Sequence, residues 1–390
     1  MGAFWSQLLP PRPVFTEANI PPLDGRVFIV TGGNAGIGYE LVKMLYAKGG
    51  CTIYIASRSL SKISAAIEDI KSTLSTSEAS PASLKSLVVD FSDLTTVAQA
   101  TSAFLAQETR LDVLWNNAGI AQQPPGSTTV QGYEAHMGVN CLGPHLFTQL
   151  LLPVLLKTAS TAVSSSVRVI YTTSQIVDST GPPGGVSLAD QEPGKHPNDK
   201  NRTYSASKVG NWFLASELDK RTRNDGLVCI VQNPGNLKTK LWNPASPLAK
   251  FLMSPFLYDA RMGAYTELWA GLSEDVTTQD GGFNVLLYDA RSVGESGGHL
   301  RNMLDPLQMA EDLSDIYTYV ASLSNVDARR SVLWGMSFGA VGTRRFQCTT
   351  CCNQGHPQIK KKVSYRLATG GSDQGSLALT AWCMRSTLCR

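Results

Sequence analysis

Tyr204 and Lys208 stand four residues apart in the run Tyr-Ser-Ala-Ser-Lys. Residues so spaced share one face of a helix, so a phenol and an ammonium project together. A free tyrosine, with a pKa of about 10, is a poor acid or base at neutral pH. A neighbouring cation favours phenolate, and Lys208 is expected to lower the pKa of Tyr204. The chemistry open to such a pair is giving a proton to a carbonyl oxygen or taking one from an alcohol. A second group is Ser337 in Gly-Met-Ser-Phe-Gly, where flanking glycines leave a hydroxyl that could serve as a nucleophile. That serine needs a histidine base, and His356 is the only histidine after it. Cys348, Cys351 and Cys352 with His356 offer metal-ligand types. The second pair that zinc-finger spacing requires is missing, so no metal is expected.

A pair that could arise by chance gains meaning from the elements that hold it. Val27 to Thr31 is an apolar strand that runs into Thr-Gly-Gly-Asn-Ala-Gly-Ile-Gly, and helical spacing follows over Gly36 to Lys48. Gly32 permits a tight turn, Gly36 lets backbone N–H groups approach a pyrophosphate, and Gly38 lets helix and strand pack closely. Strands are expected at Thr52–Ala56, Leu84–Asp90, Leu111–Asn116, Val167–Ser174 and Leu227–Gln232. Helices are expected at Ser59–Ser72, Leu94–Gln107, Gly132–Ala159 with a bend near Gly143-Pro144, and Tyr204–Arg221. Regular alternation of near-continuous apolar strands with helices implies a parallel sheet covered on both faces. The Pro/Gly-rich stretch Ser179–Arg202 reads as a loop.

The spacing Gly-x-x-x-Gly-x-Gly resembles the short-chain dehydrogenase/reductase family. Further motifs stand in that family's order: Asp90 at the third strand end, Asn116-Asn117-Ala118-Gly119 at the fourth, Asn140, Ser174, Tyr204 with Lys208, and Pro234-Gly235 followed by Thr239. The resemblance implies an α/β, Rossmann-type doubly wound parallel sheet. It implies a catalytic set of Ser174, Tyr204, Lys208 and Asn140, with Ser174 bonding the substrate oxygen and Asn140 anchoring a water that links the lysine to solvent. Gly32, Asn34, Gly36, Ile37, Gly38, Asp90, Asn116, Asn117, Tyr204, Lys208, Leu237 and Thr239 would hold a nicotinamide cofactor, Leu237 and Thr239 meeting its carboxamide. An acidic residue roughly 20 positions past the glycines would favour NAD. Ser57-Arg58 stands there instead. A guanidinium suits a 2′-phosphate, so NADP(H) is expected. Ser57-Arg58 and the long gap between Ser174 and Tyr204 resemble the retinol-dehydrogenase-like branch, which implies lipophilic alcohols and carbonyls. The Pro-bounded apolar stretch from Leu241 to Tyr258 could then lid an apolar substrate.

Bulk properties agree with a globular enzyme. The 390 residues are 43% hydrophobic and 17% charged, with a net charge of +3. That balance predicts no nucleic-acid partner. No apolar run reaches the roughly 18 residues of a stable membrane span, and Leu146–Leu156 reads as a buried helix. Cys51, Cys141 and Cys229 lie far apart, as small buried hydrophobes of a reducing, cytoplasmic compartment would. The apolar, Pro-rich stretch Met1 to Phe15 lacks the basic start of a signal peptide. It reads as a loosely packed arm resting on the protein or on a membrane surface.

After Gly282 the sequence changes character. Phe283–Tyr288 is a strand run, Asp289-Ala290-Arg291 leads to Gly294 and Ser296, Pro306–Ser322 is an amphipathic helix, and Ser331–Gly335 feeds the turn at Ser337. These features resemble part of an α/β-hydrolase. The expected layout is an arm over 1–22, an NADP-binding dehydrogenase domain over 23–281, a truncated hydrolase-like fragment over 282–343 and a poorly ordered tail over 344–390. Phe283–Tyr288 is expected to fill the sheet edge that the family's last strand would occupy. The leading reading is an NADP(H)-dependent oxidoreductase for a lipophilic small molecule, with a homodimer open to it. The rivals are a serine hydrolase or acyltransferase through Ser337, and an inactive fusion that binds cofactor without turnover.

Overall fold

β1 (Val27–Thr31), β2 (Thr52–Ser57), β3 (Ser83–Val88), β4 (Val113–Asn116), β5 (Val167–Thr172) and β6 (Leu227–Gln232) form one sheet in the order β3-β2-β1-β4-β5-β6. Every neighbouring pair is parallel. The structure is a computed structural model, and it describes residues 12–76, 80–182, 184–192, 194–238 and 257–278. All of them fall in one unit of the chain, Arg12–Asn284.

Side chains alternate across the sheet, and each face builds its own core. Phe28, Val30, Ile53, Ile55, Val113 and Trp115 share a cluster with Leu41 and Leu45 of α1 (Gly36–Lys48), Ile63 and Ile70 of α2 (Leu60–Thr73), and Leu268 of the last described helix, α6 (Ala260–Leu272). Val27, Ile29, Tyr54, Leu114 and Tyr171 pack on the other face. There they meet Val97 and Phe104 of α3 (Leu94–Leu105), Phe147 and Leu151 of α4 (Ala135–Ala159), and Leu218 of α5 (Lys200–Thr222). The doubly wound sheet expected from the sequence is therefore present.

Element ends differ from the sequence reading where side chains take over backbone bonds. β3 stops at Val88 instead of Asp90. Asp90 already belongs to a turn, with its N–H donating to Thr96 Oγ1 at 2.9 Å and its carboxylate accepting from the Ser92 N–H at 2.9 Å. α5 begins at Lys200, four residues before Tyr204, because Asp199 caps it and accepts from the N–H groups of Asn201 and Arg202 at 2.9 and 3.3 Å. The expected loop therefore ends at Asp199. The bend expected near Gly143-Pro144 is a π-helical turn over Gly138–Leu142. Pro144 has no N–H to offer the Asn140 carbonyl four residues back, so the ladder there must adjust. Arg12–Pro22 also departs from a loose arm: Ile20 is buried, Phe15 packs on the core, and Glu17 pairs with Arg261.

By length and composition α4 could cross a membrane, but half of its apolar window is buried inside the protein. Phe147, Leu151, Val154 and Leu155 face the core, as expected of a buried helix. Cys51, Cys141 and Cys229 are free and buried. The expectations for Thr239, for the apolar stretch over 241–256, for the edge strand at Phe283–Tyr288, and for the hydrolase-like fragment and tail lie outside the described residues.

One buried cation ties α6 to the sheet. Arg168 of β5 donates from Nη1 to the Ala270 carbonyl at 2.9 Å, and from Nη2 to those of Ser273 and Val276 at 2.7 and 3.0 Å. These carbonyls sit at the negative end of the helix, where a cation is favoured. Arg168→Met should destabilise the protein by about 3 kcal/mol, the scale of charged hydrogen bonds lost from a buried site. Urea unfolding checks this: the midpoint should fall with the slope unchanged.

Candidate active site

The glycine turn between β1 and α1 forms the floor of a cleft. Gly32 has a φ of +68°, and its N–H donates to the Ala56 carbonyl at 2.8 Å. Gly36 also lies in the left-handed region, at +58°, with open space where a Cβ would stand. A Cβ on Gly38 would lie 2.7 Å from both the Gly32 carbonyl oxygen and Asn117 Nδ2. The first turn of α1 can approach the β4 end this closely only with hydrogen at position 38. Asn117 fixes the second wall: its Nδ2 donates to the Thr31 carbonyl at 2.8 Å, while the Ala118 N–H donates to Thr31 Oγ1 at 2.9 Å.

The cleft encloses about 1050 Å3, and Asn34, Ile37, Arg58, Asp90, Asn117 and Ile120 are among its lining residues. At the β2 end Arg58 is joined by Lys62 and Tyr39, neither of which the sequence reading had singled out. Lys62 lies in the first turn of α2, which follows directly after Arg58. Asn116 departs from its expected role. Its Nδ2 donates to Thr148 Oγ1 at 3.0 Å, turning the side chain toward α4, where it is buried. Leu237 is buried, and its Cδ1 would lie 2.3 Å from a Cβ added to Gly263.

At the β5 end the expected catalytic residues converge. Tyr204 and Lys208 share the inward face of α5, with Lys208 Nζ 5.8 Å from the centre of the Tyr204 ring. Ser174 follows β5 and bonds the Tyr204 phenol. Asn140 sits in the π turn. Its Oδ1 accepts from the Ile120 N–H at 2.8 Å, and its Nδ2 donates to the Ile120 carbonyl at 3.0 Å and to Ser207 Oγ at 2.9 Å. The amide thus holds the loop after β4 against α5. That loop joins the cleft to the catalytic group: a Cβ on Gly119 would stand 3.3 Å from Lys208 Nζ and 3.2 Å from Asn140 Oδ1.

The electrostatics correct one expectation. Burial raises the Tyr204 phenol above its ordinary value, and the Ser174 bond is what pulls it back. Lys208 was expected to do the lowering, but burial takes its own pKa down to about 8. Its ammonium donates to the Thr172 carbonyl at 3.0 Å. A desolvated lysine gives up its proton more readily than the solvated cation implied by spacing alone.

His136 was also missed. Its Nε2 accepts from the Gln123 N–H at 3.2 Å, and its Nδ1 lies 2.8 Å from Glu134 Oε1 and 3.1 Å from Thr203 Oγ1. Its ring meets Tyr204 edge-on at 5.9 Å. Glu134 accepts from the Met137 N–H at 2.7 Å as well, starting α4. Burial acts to raise the Glu134 carboxyl, but these hydrogen bonds outweigh it and hold its pKa below the ordinary value. Two ionisable residues at a helix start read as surface in sequence. Only the packing of α4 on α5 reveals them behind the tyrosine.

The model of the short chain dehydrogenase family matches residues 26–184. The chain is 48% identical over 275 residues to the short-chain dehydrogenase/reductase iacJ of Pestalotiopsis fici, covering 70% of this chain and 83% of that one. It is 44% identical over 280 residues to a short-chain dehydrogenase/reductase of Phomopsis amygdali, covering 70% and 81%. Among solved structures, the fold superposes on the NADP active-site complex of Pseudomonas aeruginosa RhlG with a TM-score of 0.50 and 23% identity, over 66% of this chain and 94% of that one. This chain belongs to the short-chain dehydrogenase/reductase family. It is an oxidoreductase with a Rossmann-type sheet whose structural neighbour was solved with a nicotinamide dinucleotide.

Proposed function

We propose that the protein interconverts a carbonyl and an alcohol on a lipophilic small molecule with NADP(H), Tyr204 serving as general acid and base. The convergence of Ser174, Tyr204 and Lys208 behind Gly119, which lines the cleft beside the glycine turn, carries this reading. The cofactor fits the residues present: the floor is shaped by glycines where a Cβ would collide or strain, and a pair of cations lines its far end. Gly32, Asn34, Ile37 and Asn117 would hold the dinucleotide, with Arg58 and Lys62 on a 2′-phosphate. When bound, NADPH supplies the hydride.

The protein's own residues manage the proton. For reduction, a phenol kept protonated by burial is the state required, since Tyr204 must donate its proton to the developing alkoxide. The Ser174 hydroxyl can bond the same oxygen as charge develops on it. Lys208 keeps a positive charge beneath the site, and Asn140 keeps the Ile120 loop in place beside it. Ile120, Ala121 and Val139 give the cleft apolar lining near this end, which supports a lipophilic substrate. NADPH oxidation across a panel of apolar ketones and aldehydes tests the proposal. Turnover with at least one and faster use of NADPH than NADH is the expected result, and NADPH binding with no turnover on any of them would favour an inactive chain.

Cofactor choice has its own test. Arg58→Leu should weaken NADPH binding by about 1.5–3 kcal/mol, as for a lost charged hydrogen bond, and leave NADH nearly unchanged. Fluorescence titration with each cofactor measures this. A wild-type protein that prefers NADH would end the idea.

A further inference from the structure

A carboxyl that the proposed chemistry does not use lies directly behind the catalytic lysine. Glu267 of α6 is 0% exposed. Its Oε1 accepts from Thr172 Oγ1 at 2.7 Å, and the same hydroxyl accepts from Gln232 Nε2 at 3.2 Å. The backbone carbonyl of Thr172 meanwhile accepts from Lys208 Nζ at 3.0 Å and from Asn211 Nδ2 at 3.0 Å. One residue of β5 therefore binds the lysine through its backbone and the glutamate through its side chain. Glu267 Oε2 and Gln232 Oε1 make no hydrogen bond at the observed geometry, although the Gln232 amide lies close enough to the carboxyl to help lower its pKa. A buried carboxylate with one oxygen unsatisfied is costly unless a nearby cation compensates or a proton is taken up.

Two cations lie against α6, and one is already committed. The Arg168 guanidinium of β5 donates to the carbonyls of Ala270, Ser273 and Val276 near the end of the helix. Thr172, Gln232 and the Trp115 indole, all neutral, also meet α6 from the strands, and the indole donates to the Glu267 backbone carbonyl at 2.9 Å. From α1, Leu41 and Leu45 belong to the cluster that includes Leu268. Lys208, on α5, is the charged group whose field reaches Glu267, and the lysine in turn feels Glu267 and the buried Cys141.

We propose that Glu267 is a positioning residue for Lys208, a buried counter-charge that acts through Thr172 to hold the lysine in its ammonium form. The inference rests on the reading of Tyr204 and Lys208 as the acid–base pair. Burial raises the Glu267 carboxyl to about 7 and lowers Lys208 to about 8, while their mutual attraction opposes both shifts. Around those values both groups are partly ionised, and the charge on each favours the charge on the other. Below about 7 the carboxyl takes up a proton, and above about 8 the lysine loses its own. The glutamate thus supports the lysine on the alkaline side, where the proton supply to Tyr204 would otherwise fail first.

The test is the pH profile of NADPH-dependent reduction by the full chain. Glu267→Gln keeps the shape and removes the charge. Lys208 then loses a group that raises its pKa, so the alkaline limb should move to lower pH, by about half to one unit. Thr172→Val keeps the carbonyl that holds Lys208 but removes the hydroxyl bonded to Glu267. The freed carboxyl stays protonated over a wider range, and the same downward move is expected. A limb that stays in place in either folded variant overturns the inference. The wild-type profile adds an independent check. It should fall around the lysine value of about 8, and activity sustained to about pH 10, where a solvated lysine would still be charged, also overturns it. Infrared difference spectra should show a protonated-carboxyl component that titrates near neutral pH in the wild-type protein and is lost in Glu267→Gln, whereas carboxyls that protonate at lower pH remain in both. Full activity of Tyr204→Phe would instead sink the underlying catalytic reading, so the two failures are distinguishable.

Discussion

Tyr204→Phe is expected to lower the rate of carbonyl reduction by at least about 100-fold, the contribution of a well-placed general acid. The ring remains, so its edge contact with His136 and its place on α5 should survive. What is lost is the hydroxyl that meets Ser174 and would face the substrate oxygen. NADPH binding should persist, because the glycine turn and the Arg58 end of the cleft are built by other elements. Steady-state kinetics beside a fluorescence titration separates the two effects. A variant that keeps near-full activity would show that the proton comes from elsewhere.

Gly38→Val should abolish measurable NADPH binding while Tyr204 and Lys208 are untouched. Even a single Cβ at this position would sit 2.7 Å from the Gly32 carbonyl oxygen, which is backbone and cannot swing aside. The turn must open or α1 must lift from β1, and either movement disperses the N–H groups that would bind a pyrophosphate. Overpacking of this kind also costs about 1–3 kcal/mol of stability. Titration with NADPH and a thermal melt give both readings. Wild-type affinity in this variant would mean that the dinucleotide does not lie on the glycine turn.

Much of this site was legible because short motifs fix backbone geometry locally. Gly32, Gly36 and Gly38 announce a turn that only glycine can make, and Tyr204 with Lys208 announces a shared helix face. Alternating apolar strands and helices then place both at the same edge of the sheet. Side-chain direction across long separations was not legible. Asn116 and Asn117 are adjacent and identical in type, yet one turns to Thr148 and the other to the cofactor cleft. The spacing of Lys208 and Tyr204 could not reveal that the ammonium would be desolvated and committed to Thr172. Glu267 carried a faint signal. It is an acid among Gly263, Ala264, Leu268 and Gly271, all buried in α6. A charged residue on an apolar face is a mark of function or of pairing, but its partner lies on another helix and is invisible to local pattern.

The central claim is hydride transfer to a carbonyl carbon at the β5 end of the cleft. It is tested most directly by reducing an apolar ketone with NADPH deuterated at one face of nicotinamide C4 and weighing the alcohol formed. One deuterium is expected on the carbinol carbon from one of the two labelled forms and none from the other, with no label on that carbon when the reaction is run in deuterated water with unlabelled NADPH. Alcohol carrying no deuterium from either form, or carrying solvent label on the carbinol carbon, would contradict hydride transfer.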